Sequence, residues 1–195
     1  MLFRSWEVIK NKETFLRRPV RNTVLVDKAN RKLYVTRRQE DRYQIIREFP
    51  VSVGEIQGNK MDQGDKRTPE GIYKIIDVKF DEELLPMFGP MSFVLSYPND
   101  RDRLLGKTGS GIWLHGTGVG ELTPDTKGCV ELTDAGIVEL SSYLSYGTPI
   151  FIFPARRPLV KQEGGIPISL VNGLEIEYLK ELPLLKARLE GRKKG

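Results

Sequence analysis

The sequence predicts a mostly-β domain with one main helix between its late strands and short helical segments at its two ends. Three observations carry this. Short apolar, β-branched runs recur along the chain, each closed by Gly, Pro, Asn or Asp. One well-marked stretch between the late strands, after Thr133, joins a helix-capping residue to apolar positions at helical spacing. The 195 residues, 39% hydrophobic and 29% charged, suffice for one ordinary core without metals or crosslinks.

Residues 5–17 read as a short helix, with Ser5 as N-cap and Trp6, Ile9, Glu13 and Leu16 at helical spacing. Thr23-Val24-Leu25-Val26 and Lys32-Leu33-Tyr34-Val35-Thr36 flank the turn Asp27-Lys28-Ala29-Asn30 and predict a hairpin. Gln44 to Val53 alternates loosely and stops at Gly54. Glu55 to Pro69 is polar and reads as a loop, and Gly71 to Val78 is a further strand. Residues 81–111 carry many loop signals, with Phe93-Val94-Leu95 a short strand among them. Ile112-Trp113-Leu114 forms a strand ending at His115. Gly116 to Lys127 is a loop with three glycines and Pro124, and Cys129 to Leu132 resumes a strand. Thr133 then caps the main helix, whose stripe is Ile137, Leu140 and Leu144, and Pro149 to Phe153 is the final buried strand. The chain divides into a helical lead (1–21), a central domain (22–154) and a basic C-terminal extension (155–195) with a helix from Leu174 interrupted at Pro183.

Composition narrows the chemistry. One cysteine excludes an intramolecular disulfide, and one cysteine with one histidine argues against a four-ligand metal site, so no metal is expected. No stretch reaches the roughly 18 apolar residues of a membrane span, and Met1 to Glu7 is too polar for a signal peptide. The net charge of +5 sits mostly at the ends, in Arg17, Arg18 and Arg21 and in Lys186, Arg188, Arg192, Lys193 and Lys194. Two readings stand: attraction to an anionic partner, or a solvated basic surface. No aromatic residues alternate with the basic runs, so nucleic acid is not an expected partner.

His115 and Cys129 lie at the two mouths of the same glycine-rich loop. If their strands are neighbours, both side chains reach one edge of the sheet. A thiol is a weak nucleophile near its ordinary pKa of about 8.5, and an adjacent imidazole activates it. Gly128 permits a backbone conformation closed to other residues and leaves room for a substrate carbonyl, with the Cys129 N–H as a donor to a developing oxyanion. The competing reading is a buried structural thiol and a satisfied loop histidine.

His115-Gly116-Thr117 followed by Thr126-Lys127-Gly128-Cys129-Val130 resembles the signature of the L,D-transpeptidase (YkuD-type) family, which has a His-Gly start and a Ser/Thr-His-Gly-Cys ending. Gly64-Asp65-Lys66-Arg67-Thr68-Pro69-Glu70-Gly71-Ile72-Tyr73 looks like its Thr-Pro-x-Gly segment. Tyr97-Pro98-Asn99, Asp102-Arg103, Gly106, Thr108-Gly109 and Ile112 to Gly116 look like the YafK-like branch. The resemblance spans about residues 22–153.

It implies a β-sandwich or barrel-like core and a cysteine thioester mechanism. Cys129 would attack the carbonyl of the diamino acid at position three of a peptidoglycan stem peptide. His115 would move the proton, and the terminal D-alanine would leave. Gly128, Thr126 and Gly116 would support the loop and the oxyanion site. An amine acceptor then gives a 3→3 crosslink, and water makes the enzyme an L,D-carboxypeptidase or, as in some YafK-like relatives, a lipoprotein–peptidoglycan amidase. An inactive peptidoglycan-binding module is the alternative of another class. The resemblance implies no cofactor, sensitivity to carbapenem-type inhibitors, and a place in the cell envelope or periplasm, although no signal peptide is visible.

Two positions depart from the signature: Lys127 stands where the family usually has His, and Glu131 where it often has Arg. An extended backbone puts Lys127, Cys129 and Glu131 on one side. Either the two charges sit on a solvated rim, or they reshape the acceptor or leaving-group subsite. Trp113 and Tyr97 are candidates to line a groove for the stem, or are core aromatics. Lys66, Arg67 and Arg103 are candidates to pair with stem carboxylates, or form exposed salt bridges.

Overall fold

A computed structural model describes residues 11–177. The fold is mostly β. Among the described residues nine strands form one mixed sheet: β1 (Thr23–Asp27), β2 (Lys32–Arg38), β3 (Arg42–Pro50), β4 (Gly71–Phe80), β5 (Met91–Leu95), β6 (Trp113–His115), β7 (Val130–Glu131), β8 (Pro149–Phe153) and β9 (Ile166–Pro167). Their order across the sheet is β7-β6-β5-β4-β8-β1-β2-β3-β9. The helices are α1 (Lys12–Arg17), α2 (Asp100–Leu104), α3 (Asp134–Ser141) and α4, which runs from 168 to 177.

The central strands are buried on both faces, and alternate residues enter two different cores. In β1, Val24 and Val26 join a large cluster with α3, while Leu25 joins a smaller one. β2 and β8 divide in the same way, with Leu33, Val35, Ile150 and Ile152 on one side and Tyr34, Phe151 and Phe153 on the other. Two-sided burial explains why these strands read as unbroken apolar runs rather than as alternation. β8 runs parallel to β1, pairing Leu25 with Phe151, so the main helix sits in the crossover that returns the chain to the sheet centre.

The smaller core is closed by the tail. Leu159, Ile166, Val171 and Leu174 are buried against Leu25, Tyr34 and Phe151. Buried Asp27 ties the tail down, its carboxylate accepting from Ala29 N and Asn30 N in the hairpin turn and from Leu159 N at 2.8 Å. Pro149–Phe153 is therefore not the last strand, because β9 adds an edge pairing to β3. The tail helix begins at 168 rather than at Leu174, and Pro183 and the late basic cluster lie outside the described residues.

At the N-terminus, Asn11 is extended and its side chain accepts from Thr14 N at 2.8 Å, so the helix starts at Lys12. A continuous 5–17 helix is thereby corrected, and Ser5 lies outside the described residues. The expected Thr133 cap holds, accepting from Gly136 N at 3.0 Å. The two ends of the sheet approach each other. After β3 the chain bridges β7 through Ser52–Glu131 and the loop before it through Gly54–Thr126, but the nine-stranded sheet itself is open and mixed rather than the expected sandwich or barrel. No helix among the described residues is long and apolar enough to cross a membrane.

Candidate active site

β6 and β7 pair in parallel, with Leu114 opposite Val130 and His115 opposite Glu131. The glycine-rich loop between them leaves the end of β6 after His115 and returns to the start of β7 at Cys129, which the register sets level with Trp113, so the imidazole and the thiol meet on one face of the pair rather than at one strand end. Both line a cavity of about 620 Å³ whose other walls come from residues 55–64, 87–88 and 123–127.

His115 is buried. Its Nδ1 lies 2.5 Å from the Gly116 carbonyl, which can only accept, so Nδ1 carries the proton and Nε2 the lone pair. Phe88 meets the imidazole edge-on at 5.1 Å and Trp113 at the same centroid distance, fixing both rings from one side. Burial lowers the imidazole pKa, and the Gly116 carbonyl and the Glu131 carboxylate pull against it. The ring rests neutral at pH 7.

Cys129 is half-buried, and its Sγ donates to the Gly111 carbonyl at 3.5 Å. Burial pushes the thiol up to about 11. The Trp113 N–H and the Lys60 ammonium favour the thiolate, and Glu131 opposes it. At neutral pH this thiol is therefore protonated until a base takes the proton.

Thr126 and Gly128 shape the approach to the thiol. The Thr126 hydroxyl donates to Cys129 O at 2.7 Å and accepts from Gly128 N at 3.0 Å. Gly128 has φ +129°, and a Cβ there would stand 2.8 Å from Arg67 O. Glycine is thus required by conformation and by the approach of the chain's own backbone. Gly116 is equally confined, since a Cβ would meet Asp134 Oδ1 at 2.4 Å.

The two departing positions differ from each other. Lys127 is exposed on the cavity rim. Glu131 is buried, 5% exposed, and its Oε1 accepts from Thr123 N at 2.7 Å and from Thr123 Oγ1 at 2.8 Å. The solvated-rim reading fails for Glu131, which stands in the wall beside the imidazole.

Other sequence candidates separate. Trp113 lines the cavity. Tyr97 does not: it is a core aromatic, packed on Tyr73 at 6.0 Å, its hydroxyl donating to Thr108 O. Arg103 makes an exposed ion pair with Asp100 on α2, and Lys66 makes one with Glu55. Arg67 packs under the loop, with its Nε buried and without a hydrogen-bond partner among the described residues. Sequence reasoning missed Phe88, hidden in a Pro/Gly-rich stretch. It also missed Lys60, a buried lysine in the 55–69 loop that lines the cavity and bears on the thiol. Neither carries a sequence signal, because each acts through a contact across space.

Residues 21–152 match the YkuD family, the L,D-transpeptidase catalytic domain. The chain belongs to this family. Among solved structures, this L,D-transpeptidase domain is similar to Bd1075 of Bdellovibrio bacteriovorus. The two are 35% identical, with TM-score 0.58, over 77% of this chain and 52% of that one. Its fold is also that of the helical cell shape determining protein Pgp2 of Campylobacter jejuni, at 24% identity and TM-score 0.61, over 75% of this chain and 49% of that one. The chain thus spans about half the length of both relatives. No curated protein matches it.

Proposed function

We propose that this L,D-transpeptidase domain modifies peptidoglycan by acyl transfer through Cys129, with His115 as the base. The observation that carries the reading is the placement of the lone thiol and the lone imidazole in one cavity on one face of paired strands β6 and β7. A stem peptide binds with the carbonyl of its third residue against the thiol. His115 Nε2 takes the thiol proton as Sγ bonds to that carbonyl carbon. The negative charge moves to the carbonyl oxygen, with the Cys129 N–H as its donor. The Gly116 carbonyl at Nδ1 and the neighbouring Glu131 carboxylate favour the imidazolium formed at that moment. When the tetrahedral intermediate collapses, the C–N bond to the terminal D-alanine breaks and the imidazolium returns its proton to the leaving amine. The resulting thioester passes to an amine of a second stem, giving a crosslink, or to water, giving a trimmed stem. The proposal carries with it a location in the cell envelope, where such chemistry would meet stem peptides.

Intact-mass spectrometry after exposure to a carbapenem and, separately, to defined muropeptides tests this. A single covalent adduct is expected in the native protein and none in Cys129→Ala. His115→Ala should slow adduct formation by about 10²–10⁴-fold, the usual share of a positioned base. Crosslinked muropeptides identify the amine acceptor, and shortened stems identify water. Absence of any adduct and of any turnover would replace the enzyme reading with an inactive peptidoglycan-binding module.

A further inference from the structure

A rung of buried side chains crosses the sheet through the base. In the antiparallel β5–β6 pair Ser92 stands opposite His115, and in the parallel β6–β7 pair His115 stands opposite Glu131. Directly opposite residues carry their side chains on the same face, with Cβ atoms about 4.5–5.5 Å apart in the antiparallel case. β5 alternates accordingly: Met91, Phe93 and Leu95 enter the large core, while Ser92 turns to the face of His115. The imidazole is thus flanked by a hydroxyl on one side and a carboxylate on the other, all three buried.

Ser92 is fully buried, and its Oγ has no hydrogen-bond partner among the described residues. Other buried serines are engaged. Ser141 donates to Val138 O at 2.6 Å, Ser52 donates to Thr123 O, and Ser145 shares a hydrogen bond with Thr148 at 3.2 Å. A buried hydroxyl left unpaired costs stability. What it keeps is free rotation, so it can turn an oxygen lone pair toward a charge that develops beside it. Glu131 is uncommitted in a similar way. Thr123 engages only its Oε1, and no cation pairs with the carboxylate among the described residues.

On this rung, proton transfer creates charge at the ring. The Gly116 carbonyl holds Nδ1–H in the neutral imidazole and selects the tautomer before any proton moves. When Nε2 takes the thiol proton, the ring gains a full positive charge between Ser92 and Glu131. Other charged groups stand further off or are engaged. Lys79 on β4 is opposite Ser92, one strand beyond the ring. Glu55, Lys60, Asp125 and Lys127 line the cavity, and Asp134 behind Gly116 accepts from Thr117 N and Gly118 N. Of these charges Glu131 is the one that bears on the imidazole, working against burial to favour its protonated form.

We infer that Ser92 and Glu131 are positioning residues of the base, one on each neighbouring strand, which leave the neutral imidazole of His115 uncommitted and stabilise the imidazolium it becomes. Their role rests on the acyl-transfer reading, and it gives the unpaired Ser92 hydroxyl a use in the interior.

His115 is the only histidine in the sequence, so one imidazole signal in the NMR spectrum of the untagged protein reports its protonation without any substrate. Glu131→Gln keeps an acceptor for Thr123 and removes the charge. The imidazole should then bind its proton about tenfold more weakly, a shift of about one pH unit downward. Ser92→Ala should move it the same way by a smaller step, with the denaturant midpoint unchanged or raised, because an unpaired buried hydroxyl has been removed. In each variant the acid limb of carbapenem-adduct formation at Cys129 should move to lower pH with the imidazole. Glu131 also opposes the thiolate, so the plateau rate carries two effects of opposite sign and is not the readout. An imidazole titration unchanged in both variants overturns the assignment. A lowered midpoint in Ser92→Ala with an unmoved imidazole overturns it for Ser92, whose hydroxyl would then be structural. Both imidazole shifts without adduct or turnover of any muropeptide refute the acyl-transfer reading, while the coupling of the two residues to the ring stands.

Discussion

The 55–69 segment and the 116–127 segment both reach the cavity, the second through residues 123–127, and are held by different physics. The first is pinned by three buried lysines. Lys28 grips Gly58 O, Thr68 O and Glu70. Lys60 closes the loop on Asp62 O and Asp65. Lys107 reaches the Asn59 side chain at 3.3 Å and Asp102 at 2.7 Å. The second segment is tied at its ends. Asp134 accepts from Thr117 N and Gly118 N, and Glu131 holds Thr123. Arg31 pairs with Asp125, and Thr126 bonds to Val53 O. Between those ties Gly118, Val119, Gly120 and Glu121 are exposed, Val119 at 78%. A wall fixed by buried charge resists local opening, because opening it breaks several buried ion pairs and charged hydrogen bonds at once. A wall fixed by a few terminal hydrogen bonds can open one bond at a time at about 1 kcal/mol each. Thus the 55–69 side is held by buried charge, while the exposed 118–121 tip of the other segment is held by few hydrogen bonds.

The largest effect expected on breaking this contrast is at Asp102. Both members of the Lys107–Asp102 pair are 0% exposed. Asp102→Ala leaves the Lys107 ammonium buried without its carboxylate and should cost about 3–5 kcal/mol, read as a lowered denaturant midpoint at unchanged m-value. A loss under 1 kcal/mol would mean that water reaches this lysine and that the rigid wall is not held by buried charge.

How far the two walls were legible in the sequence follows the same division. The strands beneath them were readable because Val24-Leu25-Val26 and Ile150-Phe151-Ile152 are buried on both faces and so stand out as apolar runs. The pair His115 and Cys129 was readable because each residue type occurs once and both flank a glycine loop. Alternation also put Glu131 on the side of Cys129, but a period of two cannot tell a solvated rim from a buried wall. Lys60 was invisible: in sequence it is one more charge in a polar loop, and only folding brings Asp65 and the cavity to it. Likewise β9, of two residues, is too short to carry a periodic signal.

Asp65 sharpens the comparison at intermediate size. Its folded pKa, about 2, lies below the ordinary value of 3.8, so its contribution is fully present above pH 3.8 and is lost as pH falls toward 2. The shift corresponds to about 2 kcal/mol. Asp65→Asn should cost about that much at pH 7 and nearly nothing at pH 2, so native and variant stabilities should converge across this window. Parallel curves would show that the carboxylate is not what clamps Lys60.

On the other wall, Asp134→Ala removes the acceptor for Thr117 N and Gly118 N, at 2.8 and 3.0 Å. The residue is only half-buried, so water can replace part of the loss and the cost should be about 1–2 kcal/mol. The distinctive readout is local. Amide exchange should accelerate in residues 116–121 while protection in 56–68 stays as it was. Faster exchange in both segments would mean that the walls open as one unit.

The smallest effect is expected at Val119. Its side chain is the most exposed of the large apolar groups described, and the backbone around it is already bounded by Gly118 and Gly120, both at positive φ. Val119→Ser removes no buried contact, so stability should change by no more than about 0.5 kcal/mol. If this tip only admits the stem, turnover should also stay within about twofold. A drop in kcat/KM with unchanged stability would instead show that the apolar tip closes over bound substrate. The freedom of this wall would then be part of binding, and the asymmetry between the walls would separate a fixed face from a moving one.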